Sequence, residues 1–451
     1  MRVTLTGGRW RRQVSGWQYT AVAMTDPRPA AATSEMEAPA PAGGPPPCRS
    51  CRAPLTETFV DLGSMPLANG LLTAEQRGRE PALPLHARVC GRCLLVQLEA
   101  LVSSETLFRD YTYFSSYSDS WLEHARRFAA RCVAGLGLAG DSLVVEVASN
   151  DGYLLRHFLG HGIPVLGVEP AANVAAVAVE HGVPTVVEFF GRDLAASLAG
   201  EGRRADLVVA NNVVAHVPDL HDFVAGLAVV LAPSGVLSIE VPHLQELIAG
   251  VQFDTIYHEH FSYFSLLALE GVLGRHGLRV FDVERLPTHG GSLRVWACHA
   301  RADRPSHARV EQVRQGEREA GLDRLDTYVG FDRAVRRCGD SFVEFLGETR
   351  AAGRTLVGYG AAAKGCTFLN YCGVSVEDVP YVVDRSPHKQ GRYLPGVHVP
   401  VEAPDRVAAT RPDYLLILPW NLRDEIVGQM AGIRAWGGRF VTAVPEVALT
   451  P

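Results

Sequence analysis

The chain has no run of about 18 apolar residues, so no segment reads as a membrane-spanning helix. It has no excess of basic charge. Lys and Arg number 43 against 49 Asp and Glu, a formal net charge of −6, which excludes the electrostatic footprint of a binder of nucleic acid or anionic membrane. Cysteine is sparse and odd in number, nine in 451 residues, which excludes a disulfide scaffold. The N-terminus lacks the apolar core of roughly 7–15 residues that a secretory signal needs, because Ser15, Gly16, Gln18 and Thr20 interrupt Val14 to Met24. Residues 1–44 carry Arg2, Arg9, Arg11 and Arg12, then an Ala/Pro-rich run from Pro27 to Pro47. This predicts a disordered extension, with Met24 as an alternative start. The chain is expected to be cytoplasmic, monomeric and without a nucleic-acid or membrane partner.

At 47% hydrophobic and 20% charged residues the remainder is globular, and its length calls for two or three domains. Cys48-Arg-Ser-Cys51 and Cys90-Gly-Arg-Cys93 each place two thiolates on one side of a tight turn. Two pairs of identical spacing predict a closed, structural four-cysteine zinc site stapling a small domain over 45–105. Tyr111-Thr-Tyr-Phe-Ser-Ser-Tyr117 then precedes a helical pattern through Trp121, Leu122, Ala125 and Phe128. Composition alone makes this a packed aromatic cap.

Ser142–Ala148 is a nearly all-apolar run that leads into Ser149-Asn-Asp-Gly-Tyr153 and a helix. The next strand, Ile163–Val168, ends in Glu169, an acid placed for ribose hydroxyls. The turn has no Gly-x-Gly-x-x-Gly. Glu146, Ser149, Asn150, Asp151 and Gly152 make it acidic and polar, which repels a pyrophosphate and suits a nucleoside with a positive charge, such as the sulfonium of S-adenosylmethionine. A later strand delivers Asn211, Asn212 and His216 at its carboxyl end, where ligands of such sheets sit. A surface histidine before Pro218 is the bland reading of His216 taken alone. Leu278–Glu284 and Gly291–Ala297 read as a terminal antiparallel pair.

Thr255-Ile-Tyr-His-Glu-His-Phe-Ser-Tyr-Phe264 crowds two imidazoles, a carboxylate and two phenols into ten residues. Tyr257, Glu259 and His260 are functional candidates, and His258, which alternates away from them, is structural. Residues 301–350 read as a helical connection. A second α/β unit over 351–451 opens with Thr355-Leu-Val-Gly-Tyr-Gly-Ala-Ala-Ala-Lys-Gly365, whose glycines and Lys364 suit a phosphate.

At these residues the chain resembles the S-adenosylmethionine-dependent sugar 3-C-methyltransferases of antibiotic deoxysugar biosynthesis, which act on nucleotide-linked 4-keto-deoxysugars. The resemblance runs from about Cys48 to the end. It rests on the four cysteines, Tyr111–Ser116, Val145–Gly152, Asn211–Pro218, Tyr257–Tyr263, His289-Gly-Gly-Ser-Leu-Arg294 and Gly358–Gly365. It implies an α/β protein: the zinc-binding domain, a central class I Rossmann-like methyltransferase domain over 106–300, and a smaller C-terminal Rossmann-like domain that holds the nucleotide diphosphate. It implies His260 as base, with Tyr257, Glu259 and His216 around the sugar and Tyr111 near the cofactor, a place Tyr113 could fill instead. Asn211 falls to the cofactor. Asn212, Tyr263, Ser292, Arg294, Lys364, Asn370 and Lys389 fall to the substrate.

The chemistry agrees with that assignment. Methylating carbon beside a ketone needs an enolate, and a neutral imidazole is suited to forming one. Glu259 is expected to orient His260, and Tyr257 or His216 to face the enolate oxygen. Three rivals remain: methylation of a sugar nitrogen or oxygen, a zinc-ribbon nucleic-acid binder, and a nicotinamide oxidoreductase using the C-terminal turn.

Overall fold

The computed structural model describes residues 8–13, 16–21, 44–108, 115–117 and 119–451. Tyr111 and Tyr113 lie outside them, as does most of the expected N-terminal extension. Within that extension β1 (Gly8–Gln13) pairs antiparallel with β2 (Gly16–Ala21).

The cysteine-bearing lobe is an antiparallel sheet of β3 (Glu57–Met65), β4 (Leu83–Val89) and β5 (Val96–Leu98). In β4 the buried Leu85, Ala87 and Val89 alternate with more exposed neighbours, the period-two pattern of a one-faced sheet. A short helix α1 (Ser104–Phe108) and the amphipathic α2 (Asp119–Leu136) lead into the central unit.

There β6 (Val144–Val147), α3 (Leu155–Gly160), β7 (Val165–Val168), α4 (Ala172–Glu180), β8 (Thr185–Val186), α5 (Arg192–Gly200), β9 (Ala205–Asn211), α6 (Leu220–Val230) and β10 (Leu231–Pro242) alternate. α7 (Leu244–Ala249) follows, then β11 (Ser262–Tyr263), α8 (Leu266–Gly274) and the pair β12 (Leu278–Leu286) and β13 (Ser292–His299). The seven-stranded sheet runs β12-β13-β10-β9-β6-β7-β8. It is parallel from β10 to β8, and β13 and β12 are antiparallel as expected. Strand order reverses at β6, so the crevice between β6 and β9 is the topological switch point where such sheets take ligands.

β11 leaves this unit and pairs with β5, becoming the edge of the cysteine lobe's sheet, in order β11-β5-β4-β3. The histidine-rich stretch thus runs from the central unit into the zinc lobe. No single-sequence pattern announces a two-residue strand of this kind.

α9 (Ala308–Glu319), α10 (Leu325–Val329) and α11 (Phe331–Ala351) are more than a connection. α11 buries Phe331, Val335, Cys338 and Phe342 at helical spacing, and these share one core with Phe59 and Val60 of β3. Phe331 stacks on Phe59 with ring centroids 4.5 Å apart. The same core takes in Phe368 and Leu369 of α12 (Ala363–Tyr371), which follows β14 (Leu356–Tyr359). The C-terminal sheet is completed by β15 (Val382–Val383), β16 (Val401–Glu402), β17 (Tyr414–Ile417), β18 (Arg439–Thr442) and β19 (Ala448–Thr450), with α13 (Asp405–Thr410) and α14 (Arg423–Gln429) beside it. Its order is β16-β15-β14-β17-β18-β19, parallel except for β19, and its switch point at β14 carries the Lys364 turn.

Candidate functional site

The chain leaves β6 through left-handed backbone at Ala148, Asn150 and Gly152. At Gly152 a Cβ would come within 2.9 Å of Val183, so the turn requires glycine for both conformation and space. Glu169, just past β7, accepts the backbone N–H groups of Asn150 at 3.0 Å and Ala171 at 2.9 Å, fixing the turn. Asn150 and Asp151 in turn accept the N–H groups of Ser115 at 2.9 Å and Ser116 at 3.0 Å.

Glu146 has no exposed surface, and among the described residues its carboxyl has no polar side-chain neighbour in reach but the Tyr153 phenol. Burial pushes this carboxyl well above its ordinary value, and the charges of Asp151 and Glu169 push the same way. Among the described residues Ser149 Oγ, Asp151 Oδ1 and Asn211 Oδ1 are likewise buried without partners. Such a set of unsatisfied acceptors at the switch point suits a ligand that brings positive charge and its own donors, as S-adenosylmethionine does.

β9 ends at Asn211. Asn212 follows at φ 52°, donating its N–H to the Glu240 carbonyl at 2.7 Å. A 3₁₀ turn then presents His216, whose ring meets that of His260 edge-on at 4.7 Å. Tyr257 lies 4.1 Å from the His260 ring and Tyr263 6.1 Å from it. His260 Nδ1 faces the Thr255 carbonyl at 2.9 Å, and the Glu259 backbone carbonyl faces the His216 ring. A carbonyl can only accept, so His260 carries its proton on Nδ1 and leaves Nε2 as a base. Enclosure lowers His216 to about 4 and holds His260 well below the ordinary histidine range, with His216 adding to the effect on His260. Taken as whole residues, His216 and His260 are only partly buried.

The Glu259 carboxyl does not reach His260 as its orienter. It turns the other way, to Asn69 of the cysteine lobe, whose Nδ2 donates to both oxygens at 2.8 and 2.9 Å. Burial raises this carboxyl to about 7 against the pull of Asn69. In the sequence Asn69 is only an isolated polar residue after Met65-Pro-Leu-Ala, with no motif around it to single it out. His258 is buried with Nε2 on the Leu83 carbonyl at 3.3 Å, the structural place expected of it.

The C-terminal domain closes the cleft. Lys364 Nζ donates to Asn421 at 2.7 Å and sits over the Trp420 ring. Trp420 Nε1 donates to Asp254 Oδ2 at 2.7 Å. Burial raises the Asp254 carboxyl to about 6 and lowers the Lys364 ammonium, and the charge of each group opposes the effect of burial on the other. The His289-Gly-Gly turn packs against Trp420, where a Cβ on Gly290 would overlap the indole. His289 keeps an open face but is walled in enough to be lowered to about 4. Trp121 lies between the β6 turn region and the His289 turn, stacked on Tyr153 and edge-on to His289.

Other expected substrate contacts are committed to protein partners. Arg294 is 3% exposed and pairs with Glu240 at 2.5 Å. With His124 it holds that carboxyl at about 2 against the upward push of burial. Ser292 Oγ donates to the Thr288 carbonyl at 2.9 Å. Asn370 ties α12 to the Pro395 carbonyl at 3.0 Å, and Lys389 bonds the Ala361 carbonyl at 2.8 Å and Asp384 at 3.3 Å. These side chains build the turns around the cleft.

Cys48, Cys51, Cys90 and Cys93 bring four Sγ atoms within 4.8 Å of one another. Gln97 Nε2 points at Cys48 Sγ at 3.2 Å and the Arg92 N–H at Cys90 Sγ at 3.4 Å, donors of the kind that support thiolates. Four thiolates converging on one point fit a structural zinc ion. No helix among the described residues is long and apolar enough to cross a membrane.

Three family models match the chain in order: "Putative zinc binding domain" over residues 48–108, "Methyltransferase domain" over 121–283 and "C-methyltransferase C-terminal domain" over 287–445. The chain is 38% identical to C-methyltransferase NovU of Streptomyces niveus over 400 residues, 88% of this chain and 95% of that protein. It is 26% identical to the ubiquinone biosynthesis O-methyltransferase of Rhodopseudomonas palustris (strain BisA53) over 96 residues, 21% of this chain and 38% of that one. Among solved structures it matches magnesium protoporphyrin IX methyltransferase (ChlM) of Synechocystis PCC 6803 with bound SAM at 15% identity and a TM-score of 0.33, covering 45% of this chain and 100% of that one. With all three modules in place, and a relative matched along nearly its whole length, the chain belongs to the zinc-containing, S-adenosylmethionine-dependent C-methyltransferase family.

Proposed function

We propose that the enzyme methylates carbon 3 of a nucleotide-linked 4-keto-deoxysugar through an enolate. The observation that carries this reading is the Thr255 carbonyl on His260 Nδ1, which leaves Nε2 unprotonated beside Tyr257 and His216. A base held neutral well below the ordinary histidine range stays competent through neutral and mildly acidic pH. S-adenosylmethionine supplies the electrophilic methyl group, held by Glu146, Ser149, Asn150, Asp151, Gly152, Glu169 and Asn211 at the switch point.

His260 removes the proton beside the ketone, and the sugar becomes an enolate. Tyr257, against the His260 ring, offers a donor to the developing oxyanion, while His216, whose one N–H faces the Glu259 carbonyl, packs edge-on against the base and holds its place. Tyr263 and Asn212 line the same wall, and Tyr111 remains a proposal outside the described residues. Glu259 braces the loop against Asn69 rather than orienting the base. Lys364 faces the nucleotide diphosphate from the opposite wall, its charge supported by Asp254.

The test uses S-adenosylmethionine labelled with carbon-13 in its methyl group and a thymidine-diphosphate 4-keto-deoxysugar. The product methyl should couple to a ring carbon in the carbon NMR spectrum. A methyl bonded to oxygen or nitrogen would replace this reading with O- or N-methylation.

A further inference from the structure

The zinc knuckle is not remote from the chemistry. Arg49, between Cys48 and Cys51, sends its guanidinium across the domain boundary to three backbone carbonyls. Nε donates to Pro218 at 2.8 Å, Nη1 to Phe261 at 2.7 Å and Nη2 to Leu98 at 3.0 Å, and Nη1 also lies 3.5 Å from Ser262 Oγ. Phe261 immediately follows His260, and Pro218 is two residues past His216. Leu98 is the β5 residue whose N–H also donates to the Phe261 carbonyl, at 3.0 Å. The Arg49 N–H is itself fixed by Gln97 Oε1 at 2.8 Å. One planar fork anchored in a metal-bound turn therefore clamps the backbone on which both histidines ride.

The rest of the turn repeats the connection. The Ser50 carbonyl faces His221 Nε2 at 2.8 Å, and Ser50 Oγ accepts from Arg275 at 3.1 Å. Those contacts seat the knuckle on α6 and α8, but only Arg49 touches both histidine-bearing segments. A purely structural staple needs no donor fork aimed at them.

We propose that Arg49 is a positioning residue, through which the zinc knuckle sets the spacing and orientation of His216 and His260. It touches neither substrate nor cofactor. It acts by holding the two segments at the separation in which the rings meet at 4.7 Å. The part of the proposal that concerns turnover rests on the proposed role of His260; the geometric part does not.

The experiment compares the full-length protein with Arg49→Ala and Arg49→Lys. Zinc content and S-adenosylhomocysteine affinity report on the knuckle and the cofactor site. Nitrogen-15 histidine spectra report the tautomer of His260 without substrate. Deuterium uptake at carbon 3 of thymidine-diphosphate 4-keto-6-deoxyglucose reports proton abstraction. Both variants are expected to keep zinc and cofactor affinity while the His260 Nδ1–H signal shifts or splits. Deuterium uptake should fall at least tenfold, with lysine no better than a partial substitute because it cannot bridge three carbonyls. Millimolar guanidinium ion should restore Arg49→Ala toward wild type. Unchanged histidine spectra, or uptake equal to wild type, would overturn the proposal. So would loss of zinc or of cofactor affinity in both variants, since Arg49 would then be a folding residue. Wild-type protein that takes up no deuterium, with a histidine spectrum that still responds to Arg49, would sink the catalytic reading and leave the positioning role standing.

Discussion

Asn69 holds Glu259 by one amide nitrogen shared between both carboxylate oxygens, and the two residues come from different domains. This bond opposes the burial that lifts the carboxyl to about 7. Removing it in Asn69→Leu should raise the carboxyl further, so that Glu259 stays protonated above neutrality. The folded protein binds this proton more tightly than the unfolded chain. Its contribution to stability is therefore complete below pH 4.5 and is lost as pH rises from there to about 7. The full effect is about 3.5 kcal/mol, from roughly 1.4 kcal/mol for each pH unit between those two values. Glu259→Gln should flatten that part of the pH–stability curve in denaturant titrations, and an unchanged curve would count against the buried carboxyl.

His260→Asn removes the basic nitrogen and keeps a donor for the Thr255 carbonyl. Turnover should fall by about 100-fold to 10,000-fold, the range of general-base contributions, while S-adenosylhomocysteine affinity measured by calorimetry stays within error of wild type. Turnover near the wild-type level would remove His260 from the role.

Taking the metal away should be felt in the histidine-rich loop. Cys90→Ser breaks the four-thiolate set, and β11, the edge strand of the cysteine lobe's sheet, loses a folded neighbour. Limited proteolysis of this variant should cut within 44–108 and also between Tyr257 and Tyr263. Cleavage confined to the first segment would show that the loop stands without the lobe.

Gly290 and Gly373 both have left-handed backbone, φ 89° and 63°, but only Gly290 faces another domain. Alanine costs each about 1–2 kcal/mol of backbone strain. At Gly290 the added carbon also overlaps Trp420, so Gly290→Ala should lower the melting temperature more than Gly373→Ala and reduce turnover. Equal shifts would mean that the turn does not meet Trp420 in solution.

The parts of the molecule set by local pattern are legible in the sequence. The nearly all-apolar β6 and β7, the acidic turn between them, the antiparallel β12–β13 pair and the paired Cys-x-x-Cys motifs all follow from composition and spacing. Contacts that cross domains are not. Asn69 and Trp420 carry no periodicity and no motif, Arg49 is one of the unspecified positions of its Cys-x-x-Cys pair, and each gains meaning only from the domain packing. The helical stretch over 301–350 reads as a connection because its apolar spacing says that one face is buried, not against what. Arg294 and Asn370 are assigned to the substrate by the resemblance, which carries motifs and not their partners. In the fold Arg294 pairs with Glu240 and Asn370 bonds the Pro395 carbonyl.

Proton abstraction before methyl transfer is the central step of the proposed mechanism, and deuterium exchange without S-adenosylmethionine measures it directly. Wild-type enzyme incubated in heavy water with a thymidine-diphosphate 4-keto-deoxysugar should replace the carbon 3 proton with deuterium, and His260→Asn should not. Methylated product formed from that sugar by an enzyme that exchanges nothing would contradict the enolate and the role of His260 with it.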